Sequence, residues 1–134
     1  MAAVLAGQPH VVIDAIDTVT AKIALIMHCK AQNIPIITCL GTGNRSDPTR
    51  IVLGNLADTA GSGCPLARIL RNELRKRGVT DLPVVYSTEL PTKALAEDTT
   101  PGRHSPGSTP MVPNAAGLAL GYTAVRLLMG EQTA

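Results

Sequence analysis

The sequence predicts an α/β fold built on buried, parallel strands, and three observations carry that expectation. Hydrophobic residues make up 45% of the 134-residue chain, which excludes a disordered polymer and suffices for one small domain with its own core. Phe and Trp are absent and Tyr occurs twice, so the core must come from Ile, Leu, Val, Ala and Met, the residues that fill strands covered on both faces. Continuous β-branched runs also alternate with apolar segments of helical length, which is how a βαβ unit reads.

Taken in order, residues 2–7 read as the tail of a helix stopped by Gly7 and Pro9. Val11, Val12 and Ile13 begin a first strand over 11–14, and residues 21–33 read as a nearly all-apolar helix. A second strand spans 34–40, so strand, helix and strand make a parallel unit with a right-handed crossover. Gly41-Thr42-Gly43-Asn44 follows. It lacks the third glycine of GxGxxG and the lysine of a P-loop, so a tight turn is the reading. A strand is expected over 50–56, and an amphipathic helix over 65–77 that opens on Pro65 and ends at Gly78. Another strand covers 82–87. Residues 92–110 are rich in Pro, Gly, Ser and Thr and read as a long mobile loop, and the last helix covers 114–129.

Cys29, Cys39 and Cys64 are few and irregularly spaced, which excludes a disulfide framework and points to a reducing cytoplasm. There is no CxxC pair, so no structural zinc site is expected. The first ten residues lack a basic n-region and no apolar run reaches the length of a membrane span. A net charge of +2 does not by itself imply nucleic-acid binding.

The chemistry concentrates in HVVIDAIDTVTAK, residues 10–22. Asp14 and Asp17 stand where a strand hands over to a helix, and ligands of open α/β sheets bind at the carboxyl ends of strands. A carboxylate there repels phosphate directly but holds it through Mg²⁺. The structural alternatives are a helix N-cap for Asp17 and a backbone hydrogen bond for Asp14. Thr18 can add its hydroxyl or backbone to the pocket. Lys22 reads either as a phosphate contact or as a solvated first-turn residue, an electrostatically poor place for a cation. Cys39 reads as a small core thiol rather than a nucleophile, since no base is paired with it in sequence. Arg68, Arg71, Arg75, Lys76 and Arg77 give one helix a basic face. Solvation is the default for such a face and RNA phosphate contact is the functional alternative. His104, Ser105 and Ser108 lie in the long loop without a recognisable third triad member.

Several short motifs carry a family resemblance: Asp-Ala-Ile-Asp at 14–17, Asp-Pro-Thr at 47–49, Pro-Leu-Ala-Arg at 65–68, Glu-Leu-Arg-Lys-Arg-Gly at 73–78 and Pro-Gly-Ser at 106–108. The chain resembles the E1-like, ThiF-type adenylating enzymes that activate ubiquitin-like and sulfur-carrier proteins. Within that superfamily it is most similar to the tRNA threonylcarbamoyladenosine dehydratases. The resemblance implies a Rossmann-like fold that uses ATP and Mg²⁺, with Asp17 organising Mg²⁺-ATP as the catalytic and metal-binding carboxylate and Thr18 and Lys22 beside the nucleotide. It implies adenylation of the substrate carboxylate on tRNA followed by cyclisation, a loop around 106–113 that closes over the site, and a homodimer in the complete protein. Cys64 stands where the pattern has Asp, and Met111 where an aromatic residue is more usual. The Gly-rich nucleotide loop and the catalytic basic residues with which the family begins are not among these residues. Residues 1–134 therefore read as a single, partial domain corresponding to the C-terminal half, inactive alone, with the strand at 11–14 left as an uncovered edge. Two alternatives remain: a sulfur-carrier or ubiquitin-like protein adenylyltransferase, disfavoured by the missing CxxC pairs, and a non-catalytic truncated interaction module.

Overall fold

A computed structural model describes residues 3, 5–92 and 109–131. Strands β1 (Val12–Asp14), β2 (Ile36–Cys39), β3 (Ile51–Asn55) and β4 (Pro83–Ser87) form one sheet in the order β1-β2-β4-β3. Helix α1 (Val19–Ala31) joins β1 to β2, α2 (Pro65–Lys76) precedes β4, and α3 (Met111–Leu128) closes the described chain. The β1–α1–β2 unit is parallel as expected, with Val12 beside Ile36 and Asp14 beside Thr38. β2 and β4 are also parallel, with Cys39 beside Val85.

β3 departs from the all-parallel expectation and runs antiparallel to β4, Ile51 opposite Ser87 and Asn55 opposite Pro83. Only a 3₁₀ turn at Pro48–Arg50 separates β2 from β3. A parallel neighbour would need a crossover of a dozen or more residues, so the chain turns back on the far side of β4 instead.

The pleat divides the core in two. Ile36 and Val84 face α1 and α2, where they meet Leu25, Ile26, Leu70 and Leu74. Ile37 and Val85 face the other way, onto Ala116 and Leu120 of α3. The outer face of α3 is apolar too: Leu118 is 77% exposed, Tyr122 62%, Val125 55% and Met129 72%. Their four-three-four spacing is one stripe of a helix.

The helices end alike. Asn33 (φ 56°), Gly78 (φ 79°) and Gly130 (φ 83°) are left-handed residues that close α1, α2 and α3. In each case the next N–H reaches back five residues: Ile34 to Cys29, Val79 to Leu74 and Glu131 to Arg126. Two boundaries differ from expectation. α3 begins at Met111, before Pro113, because a proline in a first turn removes an N–H that has no helical partner. Residues 5–7 form a turn rather than a helix tail, with Leu5 buried in the α1–α2 core. Most of the segment expected to be a mobile loop, with His104, Ser105 and the Pro-Gly-Ser motif, lies outside the described residues.

Candidate functional site

The site begins at the C-terminal end of β1. Asp14 is fully buried. Its Oδ1 accepts the Ile16 N–H at 3.0 Å and its Oδ2 accepts the Thr38 hydroxyl at 3.1 Å. The same Oδ2 lies 3.1 Å from the Lys22 ammonium, which also donates to the Ile16 carbonyl at 3.0 Å. Asp14 and Lys22 therefore hold both polar groups of the Ile16 backbone, and the turn that presents Asp17 is clamped from below.

Lys22 is not the solvated first-turn residue that one of its two readings offered. It has no exposed surface, and its ammonium meets the Asp14 carboxylate and the Ile16 carbonyl. A position one turn into α1 puts it under the β1–α1 turn, and a buried ammonium requires a carboxylate beside it.

Asp17 and Thr18 are exposed. Thr18 is the N-cap residue of α1, with no side-chain cap bond, so Asp17 is not the cap that sequence chemistry offered as its structural role. Its carboxylate makes no hydrogen bond or ion pair among the described residues. It lines a cleft of about 250 Å³ at the ends of β1 and β2, with Ile16, Cys39, Gly41, Leu66 and Gly117 around it. An unpaired carboxylate at the mouth of such a cleft suits Mg²⁺, which takes one or two carboxylates and draws its other ligands from phosphate and water. Among the described residues no three His, Cys, Asp or Glu side chains gather into a metal site of their own.

Cys39 sits in the cleft wall and donates to the Leu40 carbonyl at 3.4 Å. Burial pushes its thiol above the usual range; nearby Lys22 pulls the other way, and Asp14, Asp17 and Cys64 add to the rise. A thiol held protonated is a poor nucleophile. Cys64 caps α2, its sulfur accepting the Ala67 N–H at 3.4 Å.

Arg45 has a role that no sequence signal announces. It is 3% exposed. Its guanidinium donates to the Glu89 carbonyl at 3.0 Å, to the Gly41 and Gly43 carbonyls at 3.1 Å each, and to Ser62 O at 3.3 Å. One cation thus ties together the loops after β2, before α2 and after β4. A single Arg within GTGNRSDPTR has no periodicity or spacing to betray it. Glu89 completes the hub by accepting the Ser46 and Asp47 N–H groups at 2.9–3.1 Å. Those bonds, Asp47 first, hold its carboxyl below the usual glutamate range. Arg45 also walls a second cleft of about 490 Å³, which shares Gly41 and Leu66 with the first. Gly63 lines it with φ 75°, and a Cβ there would stand 2.9 Å from Pro91 Cδ, so glycine is required by conformation and by space.

On α2, Lys76 and Arg77 both pair with Glu73, at 3.1 and 2.9 Å. Arg71 donates to the Thr59 hydroxyl and Arg75 to the Asn72 amide oxygen.

No family model matches the chain. It is 35% identical over 131 residues to the tRNA threonylcarbamoyladenosine dehydratase of Bacillus subtilis, covering 90% of this chain and 51% of that protein. It is 38% identical over 86 residues to tRNA threonylcarbamoyladenosine dehydratase 2 of Saccharomyces cerevisiae, covering 63% of this chain and 19% of that one. Among solved structures, the tRNA N6-threonylcarbamoyladenosine dehydratase of Escherichia coli in complex with AMP superposes with a TM-score of 0.79 at 31% identity, over 96% of this chain and 52% of that chain. The same enzyme in complex with ATP superposes at 0.78 and 32% identity. The fold is thus the Rossmann-like, E1-like α/β fold of these enzymes, and the chain spans about half the length of the Bacillus relative and of the solved chains it matches.

Proposed function

We propose, from this similarity to tRNA threonylcarbamoyladenosine dehydratases, that the chain forms the C-terminal part of an ATP-dependent enzyme of that kind. In the reaction an oxygen of the substrate carboxylate attacks the α-phosphorus of ATP and pyrophosphate leaves. A nucleophile of the same modified nucleoside then closes on the activated acyl carbon, and AMP departs with the oxygen, for net loss of water. Asp17 is the observation that carries the reading: a carboxylate without a hydrogen bond or ion pair among the described residues, lining a cleft at the carboxyl ends of two parallel strands. Bound Mg²⁺ would offset phosphate charge there, held by Asp17 together with the nucleotide. The protein's own part is positional. Asp14 and Lys22 fix the Ile16 peptide and so aim Asp17, Thr18 offers its hydroxyl at the rim, and the Arg45 hub holds the far wall. Lys22 contributes through the turn rather than by touching the nucleotide.

The tRNA substrate and a homodimer of the complete protein belong to the same proposal; the apolar stripe of α3 supports the second. So does a cytoplasmic location, supported by three free thiols, while none of the described helices is long and apolar enough to cross a membrane. The Gly-rich turn on which a Rossmann-type site rests its phosphates is not among these 134 residues, so the chain alone is expected to give no ATP–pyrophosphate exchange. Adding the N-terminal half of a relative, with threonylcarbamoyladenosine-bearing tRNA as the carboxylate substrate, should restore exchange. Asp17→Asn should then remove it again by about a hundredfold or more, the scale set by deleting one group that stabilises transition-state charge. Exchange by the isolated chain, or full exchange by the Asn variant, would overturn the reading.

A further inference from the structure

We propose that the face of α2 carrying Arg68, Arg71 and Arg75 is a track for consecutive phosphates of an RNA backbone, leading into the Asp17 cleft. The proposal rests on the dehydratase reading, which makes RNA the polyanion at hand, and it assigns a binding surface that this reading does not. The first support is charge without compensation. The helix and its C-cap carry five cations, and Glu73 neutralises Lys76 and Arg77 only. Arg71 and Arg75 meet neutral oxygens, of Thr59 and Asn72. The Arg68 guanidinium has no hydrogen bond or ion pair among the described residues. The nearby carboxylates Asp58 and Asp81 are turned to Asn55, accepting from its N–H and its side-chain amide.

The second support is shape. Arg71 is shared by two grooves along α2, of about 280 and 140 Å³. The larger also has Arg68 and borders the second cleft, with which it shares Gly63, Cys64 and Pro65. That cleft in turn borders the Asp17 cleft and shares Gly41 and Leu66 with it. The three arginines are spaced three and four residues apart, about 4.5 and 6 Å along the helix, so each can take a neighbouring phosphate. Guanidinium is the side chain best shaped for bidentate phosphate contact. The groove around Arg68 is lined mainly by Gly, Ser, Thr and Arg. No aromatic ring lines it, so nothing there offers a stacking surface for reading bases. Backbone contact independent of sequence is what remains.

The test is fluorescence anisotropy of the 134-residue chain with a labelled tRNA transcript over a salt series, with circular dichroism to confirm folding. The double variant Arg68→Gln/Arg75→Gln, which leaves the Arg71–Thr59 bond intact, should weaken binding about tenfold. It should also flatten the dependence of log K on log salt by about 1.4, since each phosphate neutralised on a single strand adds roughly 0.7 to that slope. Lys76→Gln/Arg77→Gln removes the same formal charge from the same helix and its C-cap and should weaken binding by less than about twofold, because Glu73 already offsets those cations. Equal losses of affinity in the two variants would reduce the track to diffuse charge and overturn it, as would no loss in the first, or no binding of tRNA by the wild type at low salt. With the substrate tRNA at saturating concentration, ATP–pyrophosphate exchange in the reconstituted enzyme reports adenylation rather than tRNA affinity, so the dehydratase reading stands or falls separately.

Discussion

At the scale of single residues, the pair Asp14–Lys22 decides how the site is built. Both side chains are without exposed surface, so neither is solvated if the other is lost. Lys22→Met should strand a buried carboxylate and destabilise the fold by about 3–5 kcal/mol, while Asp14→Asn/Lys22→Met should recover most of the loss, since removing both charges leaves nothing unpaired. Urea unfolding of the three proteins measures this, and equal destabilisation by the single and double variants would show that packing rather than charge is at stake. Asp17 is the opposite case, exposed and without a hydrogen bond or ion pair among the described residues, so its replacement should leave stability alone. The two aspartates stand three positions apart in one motif, and nothing in the motif divides the roles between them. Only the fold shows which carboxylate faces Lys22 and which faces the cleft.

At the scale of elements, the loops around the cleft carry their own pH dependence. The Glu89 carboxyl is held low by the N–H groups of Asp47 and Ser46, and that of Asp47 by Thr49. A carboxyl whose folded value lies below its unfolded one stabilises the fold above the unfolded value, about 4.3 for Glu, and loses that contribution as pH falls through the folded value. The stability gap between wild type and Glu89→Gln should thus be full at pH 7 and close progressively below about pH 4. A gap that persists unchanged into acid would mean that Glu89 acts through its neutral hydrogen bonds. Helices and parallel strands were legible because apolar periodicity and Gly or Pro stops are local signals: α2 was expected over 65–77 and spans Pro65–Lys76. The antiparallel course of β3 was not legible, because a run such as Ile51–Asn55 carries no mark of strand direction and its pairing with Pro83–Ser87 is made across the length of α2.

For the whole molecule, two surfaces are without partners among the described residues. β1 forms one edge of the sheet, with Ile13 44% exposed, and α3 turns its stripe outward. An uncovered edge and a contiguous apolar patch both favour association. The isolated chain should therefore sediment as concentration-dependent oligomers, and Leu118→Lys/Val125→Lys, both at exposed positions, should shift it towards monomer without loss of helicity. Association unaffected by these changes would locate the contact at β1 instead.

The Arg45 hub has a mechanical consequence for the molecule. Its planar guanidinium fixes the separations of Gly41, Ser62 and Glu89 at once, much as a keystone fixes the stones that lean on it. The three rims of the cleft cannot flap one at a time, because a displacement of any of them strains bonds to the other two. Thermal motion there travels as the rocking of a single stiff frame, and a ligand of the wrong shape meets a wall that does not yield piecemeal.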